Sequence, residues 1–97
     1  MVTTDAVLIE YGNFFSRLPQ RGAVVGWISR IRGNSDWIVE RIDGALLTRS
    51  EARYQQFHDK NWSMTDCISM EVMQSRGISE IATTDKGFAQ AGFKLLL

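Results

Sequence analysis

Strand-like and helical patterns alternate along the whole chain of 97 residues, and this alternation is what most limits its possible folds. Short segments rich in β-branched or aromatic residues, at 1–4, 37–42 and 81–84, predict strands. Apolar residues recur at helical spacing between these segments. Strands separated by helices predict a parallel sheet with helices on both faces, and therefore an α/β layered fold in a single domain.

Four helices and one short helical turn are predicted. The first helix spans 5–17, the second includes 24–31, the third spans 43–57 and the fourth spans 63–77. A helical turn at 86–91 precedes an apolar C-terminal segment. We expect the fourth helix to be the most buried, because its apolar residues occur nearly all round it.

Net charge, cysteine content and hydropathy limit the class of protein to which the chain belongs. The chain has 11 basic and 11 acidic residues, so its net charge gives no argument for binding to nucleic acid or to a membrane. The single cysteine, Cys67, has no internal disulfide partner. No segment reads as a signal peptide or a membrane span, so we expect a cytoplasmic protein without membrane contact.

Three acidic residues are placed where ligands collect in parallel α/β folds, beyond the carboxyl ends of the strands. Asp85 directly follows the predicted strand at 81–84, and Asp66 lies in the first turn of the fourth helix. Glu10 lies on the first helix, within about 40° of Phe14 on a helical wheel. It is therefore at the edge of the apolar stripe.

Each acid also has a simpler structural interpretation. Ser63 and Asp66 fit a capping box, in which each side chain binds a backbone N–H of the other residue. Asp85 has the position of a cap on the turn that follows its strand. Glu10 could extend into solvent or pair with Arg17. Taken together, however, clustered carboxylates repel one another unless a cation is present, and Mg²⁺ or Mn²⁺ prefers oxygen ligands of this kind.

Three segments resemble motifs of PIN domains of the VapC type, which are toxins of bacterial toxin–antitoxin pairs. They are VTTDAVLIEYGNFFSR (2–17), WSMTDCISMEVMQSRGI (62–78) and IATTDKGFAQAGFKLL (81–96). The last two are the most specific, because a TDC helix start and a TTD strand end place Asp85 19 residues after Asp66. The resemblance implies a PIN-like three-layer fold.

The same resemblance implies a metal-dependent ribonuclease, in which clustered acids hold Mg²⁺ or Mn²⁺ and activated water cleaves an RNA phosphodiester. Glu10, Asp66 and Asp85 match the acids of the second, third and fourth motifs, and are the expected metal ligands and catalytic residues. The residues expected to support these acids are Asn13, Ser63, Thr65 and Thr84. The residues expected to meet RNA are Lys60, Trp62 and Lys86, although Trp62 could instead staple the helix start. The implied partners are RNA and a cognate antitoxin.

The chain departs from the PIN pattern at its start. Such domains normally open with a central strand that carries the first metal-binding Asp, and no residue at 1–4 replaces it. Asp5 is at a helix start, where capping is the expected role. We hypothesise a downstream start, a natural fragment, or a sheet completed by another copy. An open sheet centre favours self-association, so we expect a homo-oligomer, for which exchange of segments between copies is one route.

Two other functions remain open from the sequence. One is a degenerate, non-catalytic PIN-like module that binds an antitoxin or dimerises through Tyr11, Phe14, Trp27 and Ile31. The other is a phosphoacceptor module, for which Thr84 is suitable but the required acid pair is not visible. His58 is expected to be a surface loop residue, because no second His or Cys stands at metal-binding spacing.

Overall fold

The computed structural model describes residues 1–97, which divide into two compact units. The first unit is Met1–Ile42 and the second is Asp43–Leu97. No helix in either unit has the length and apolar character needed to cross a bilayer.

The first unit is built from two helices between two parallel strands. Its elements are β1 (Val2–Thr4), α1 (Asp5–Phe14), α2 (Arg21–Gly33) and β2 (Ile38–Glu40). In the ladder, Val2 is paired with Ile38 and Thr4 with Glu40. Parallel neighbours require a crossover, and the two helices provide it. The predicted strand–helix–helix–strand order is therefore confirmed.

Helix α1 differs from its prediction in length and in its buried face. It ends at Phe14 instead of continuing to residue 17, and its buried residues are Ala6 and Leu8. The predicted apolar stripe lies outward: Phe14 is 73% exposed, and Val7 and Tyr11 are also exposed. The predicted stripe is therefore not the buried face of α1, which is formed by Ala6 and Leu8.

The second unit carries most of the buried residues. Its elements are α3 (Gly44–Gln56), α4 (Met64–Arg76), β3 (Glu80–Ile81), α5 (Lys86–Gln90) and β4 (Lys94–Leu95). Strands β3 and β4 are parallel, with Glu80 paired with Lys94 and Ile81 with Leu95. The parallel direction of the strands agrees with the prediction, but they form two separate two-stranded ladders.

Helix α4 is the most buried helix, as its sequence predicts. Cys67 and Met70 are 0% exposed, and Met73, Trp62 and Phe88 complete their cluster. The helix ends at Gly77, whose φ of 67° is the left-handed conformation that a helix stop favours and that glycine adopts without steric cost.

A partly buried ion pair links α3 to α4. Arg53 Nε donates to Glu71 Oε2 at 2.6 Å, and the two side chains are only 11% and 13% exposed. Arg53 also donates from its Nη2 to Gln74 Oε1 at 2.7 Å. A guanidinium suits this position because its planar fork binds two acceptors at once.

The strand predicted at 81–84 is shorter than expected. Strand β3 ends at Ile81, and the N–H of Thr83 turns back to the carbonyl of Ile81 at 3.1 Å. The chain therefore leaves the ladder before Asp85. That residue follows a turn instead of directly ending a strand.

Candidate active site

Asp66 is held by the capping box that its sequence predicts. Its Oδ2 accepts the backbone N–H of Ser63 at 2.9 Å, and Ser63 Oγ accepts the N–H of Asp66 at 3.1 Å. The residue is half-buried at the start of α4. The box fixes the direction of the carboxylate and engages one of its oxygens.

Asp85 also caps a helix. Its Oδ1 accepts the N–H of Gly87 at 2.8 Å at the start of α5, and its own N–H donates to Thr83 Oγ1 at 3.1 Å. The residue is exposed. The backbone N–H and the carboxylate of Asp85 are therefore both hydrogen-bonded within the turn that follows β3.

Trp62 connects the two capped carboxylates. It immediately precedes Ser63, and its ring is 7% exposed within the core cluster. A Cβ added at Gly87 would lie 3.0 Å from Trp62 Cδ1 and 3.1 Å from Asp85 Oδ1. Only a residue without a side chain leaves room for this approach, so Gly87 lets the indole pack beside the Asp85 cap.

Hydrogen bonding and stacking fix the orientation of the indole. Trp62 Nε1 donates to Gln90 Oε1 at 3.3 Å, and its ring lies 4.9 Å from that of Phe57. The staple role considered for Trp62 agrees with its burial, which leaves little of its ring for RNA.

Glu10 belongs to the first unit, where it is exposed on α1. Asn13, one turn further along the helix, is also exposed. Asp66 and Asp85 belong to the second unit. Neither unit by itself contains a group of three or more His, Cys, Asp or Glu side chains that could hold a metal ion.

The donor chemistry nevertheless suits a hard divalent cation. One carboxylate oxygen of Asp66 and one of Asp85 accept a backbone N–H. The other oxygens, Asp66 Oδ1 and Asp85 Oδ2, take no part in the caps. Carboxylate oxygens are preferred ligands of Mg²⁺ and Mn²⁺. The caps are thus compatible with a metal ligand role for each residue.

The remaining predicted residues lie around these caps with different exposures. Thr65 and Lys60 are partly buried, whereas Thr84 and Lys86 are exposed. The hydroxyl that binds the backbone of Asp85 belongs to Thr83, its neighbour in the TTD sequence. An acceptor two residues before an Asp is a recognisable turn signal, and it could have identified Thr83.

Cys67 follows Asp66 but is unsuited to nucleophilic chemistry. Burial raises the pKa of its thiol, as do the negative charges of Asp66 and Glu71, while the Arg53 guanidinium partly offsets them. The sulfur is also 0% exposed. It therefore remains a protonated core residue, as the sequence predicts.

No protein-family model matches the chain. No curated protein matches it in sequence.

A solved structure does match, that of VapC20 from Mycobacterium tuberculosis, a toxin described as cleaving the sarcin–ricin loop. The superposition has a TM-score of 0.84 with 26% sequence identity, and it covers 95% of this chain and 70% of the toxin chain. VapC20 is a PIN-domain toxin ribonuclease. The chain therefore has the PIN-like α/β fold of a VapC toxin, as the resemblance in its sequence predicts.

Proposed function

We propose that this chain is a metal-dependent endoribonuclease of a toxin–antitoxin system and acts in the cytoplasm. The observation that carries the proposal is the match to VapC20 over 95% of the chain. The caps of Asp66 and Asp85 support it, because each holds one carboxylate by a hydrogen bond to a backbone N–H.

Asp66 and Asp85 are the residues of the second unit that would hold Mg²⁺ or Mn²⁺. When bound, such an ion supplies Lewis acidity toward the phosphate and lowers the pKa of water. The chain's own contribution is orientation. The N–H groups of Ser63 and Gly87 each hold one carboxylate oxygen, and the other oxygen of each residue takes no part in the cap.

Substitution of the acids tests this proposal. We expect RNA cleavage that requires Mg²⁺ or Mn²⁺ and that Asp66→Asn, Asp85→Asn or Glu10→Gln abolishes. The assay follows labelled RNA on a denaturing gel, with and without chelator. Cleavage that persists in excess chelator, or that survives both aspartate substitutions, would exclude the proposed site.

A matched control is available at the start of α3. Asp43 caps that helix by accepting the N–H of Leu46 at 2.8 Å, and it has no proposed part in cleavage. Asp43→Ala should lose a cap, about 1 kcal/mol of stability, and keep full cleavage activity. It therefore separates loss of a helix cap from loss of a metal ligand.

A second candidate function is a non-catalytic binding module, and an exposed aromatic cluster in the first unit favours it. The rings of Tyr11 and Phe15 lie 5.1 Å apart, and Trp27 lies 6.2 Å from Tyr11. Phe14 is the most exposed ring of the group at 73%. Such apolar surface suits a protein partner, either a cognate antitoxin or a second copy of the chain.

Light scattering tests self-association. We expect an oligomer that Phe14→Ser and Trp27→Ser weaken, because both substitutions remove exposed aromatic surface. A protein that stays monomeric at all concentrations would exclude the homo-oligomer. A chain that binds no metal and cleaves no RNA, yet forms a stable complex with an antitoxin, would favour the binding module over the enzyme.

A further inference from the structure

An open cavity of about 630 Å³ lies on the second unit, outside the two carboxylate caps. It is formed by the last turn of α3 and the loop that leads to α4. Its lining residues are Tyr54, Gln55, His58, Lys60, Asn61 and Trp62. From this combination we propose that the cavity binds one unpaired nucleotide of single-stranded RNA, an inference that rests on the proposed ribonuclease function.

The lining supplies each type of contact that an unpaired nucleotide requires. Tyr54 is 51% exposed, so its ring can stack on a base. Gln55 and Asn61 carry amides, which donate to and accept from the polar edges of a base. His58 and Lys60 carry nitrogen donors for a phosphate.

The positive charge of Lys60 favours a phosphate group as the ligand of this cavity. Lys60 Nζ lies 3.8 Å from Asp59 Oδ2, and the Asp59 side chain is 66% exposed. An ion pair at this distance in solvent is weak, so it leaves the ammonium free to meet an anion. Asp59 is not part of the cavity lining.

The cavity shares Trp62 with the surroundings of the carboxylate caps. Trp62 lines the cavity and also lies against Gly87, next to the Asp85 carboxylate. The following residue, Ser63, is bonded to Asp66. A nucleotide in the cavity would therefore contact a residue that also borders the proposed cleavage site.

Binding of a fluorescein-labelled, eight-nucleotide single-stranded RNA, measured by anisotropy in excess EDTA, tests the inference without cleavage. Tyr54→Leu should weaken binding about tenfold through lost stacking, with an unchanged salt dependence. Lys60→Gln should also weaken binding, and should reduce the slope of log K against log salt by about 0.7. The matched control, Lys94→Gln, should bind as the wild type does.

Several outcomes would overturn the inference. These are equal affinities for the wild type and Tyr54→Leu, equal losses for Lys60→Gln and Lys94→Gln, or a wild type that binds no RNA. Circular dichroism of each variant checks that it is folded. Failure of the ribonuclease proposal is distinguishable, because binding that depends on Tyr54 and Lys60 in EDTA, without cleavage in Mn²⁺, would contradict the enzyme and support the cavity.

Discussion

Asp66 has two proposed roles, as a helix cap and as a metal ligand, and its substitutions separate them. Asp66→Ala removes the acceptor for the Ser63 N–H and the negative charge at the start of α4. Loss of such a cap costs about 1 kcal/mol, and the charge near the helix dipole contributes about 0.5 kcal/mol. We therefore expect Asp66→Ala to lower the free energy of unfolding by about 1.5 kcal/mol in chelator.

Asp66→Asn should behave differently, because it keeps an oxygen that can accept the same N–H. Only the charge is lost, so the cost in chelator should be about 0.5 kcal/mol. Mn²⁺ at 100 times its Kd should then add about 2.7 kcal/mol to the wild type and little to either variant. The gap between wild type and Asp66→Asn should thus widen to about 3 kcal/mol.

Urea denaturation followed by circular dichroism, with EDTA or with Mn²⁺, measures both terms. Asp43→Ala is the control, since its loss of about 1 kcal/mol should be the same in the two conditions. If Mn²⁺ stabilises Asp66→Asn as much as the wild type, Asp66 is a cap alone. If Mn²⁺ stabilises neither the wild type nor Asp43→Ala, the metal site itself is refuted.

Three further predictions concern the second unit. Glu71→Ala leaves the partly buried Arg53 with Gln74 as its remaining partner, and should cost about 2 kcal/mol in urea denaturation, whereas Arg49→Ala, which removes the longer contact of 3.6 Å at a more exposed side chain, should cost under about 1 kcal/mol. Met70→Ala removes a fully buried side chain and should cost about 3 kcal/mol, against less than about 1 kcal/mol for the exposed Leu47→Ala. Because burial raises the pKa of Cys67, its contribution to stability is present below the usual thiol pKa and is lost as pH rises above it, so the wild type should lose more stability than Cys67→Ala between about pH 8 and 10.

Helix α4 was predictable from sequence because its signals are local. The Ser63 and Asp66 box, the apolar residues and the glycine at position 77 all lie within or next to the helix, and all specify the same boundaries. The caps at Asp43 and Asp85 were predictable for the same reason. Hydrogen bonds between residues that are close in sequence can be predicted from the sequence itself.

The errors arise where distant residues decide the outcome. Strand β3 ends at Ile81 because its partner β4, which lies beyond an intervening helix, pairs with it only through Lys94 and Leu95. Helix α1 buries Ala6 and Leu8 although larger apolar residues lie on its other face. Periodicity identifies an apolar stripe, but it does not identify which face meets the core.

The position of Trp62, which lines the cavity and lies next to the Asp85 carboxylate, also could not be predicted from local sequence patterns. Trp62 is fixed by Gln90, which is 28 residues away, and it fits only because position 87 lacks a side chain. Nothing in the sequence near Trp62 specifies either contact. Because the orientation of Trp62 is fixed, it would keep the proposed nucleotide cavity and the two caps in constant positions relative to each other.

Capping and metal binding are complementary roles for the carboxylates of Asp66 and Asp85. A carboxylate has two oxygens, and each cap uses one of them: Oδ2 in Asp66 and Oδ1 in Asp85. A capped carboxylate is held in one direction before a ligand arrives, so less conformational entropy is lost on binding. Removing the Ser63 or Gly87 interaction should therefore weaken metal affinity even though neither residue donates to the ion, and a capping motif in sequence does not count against a functional acid.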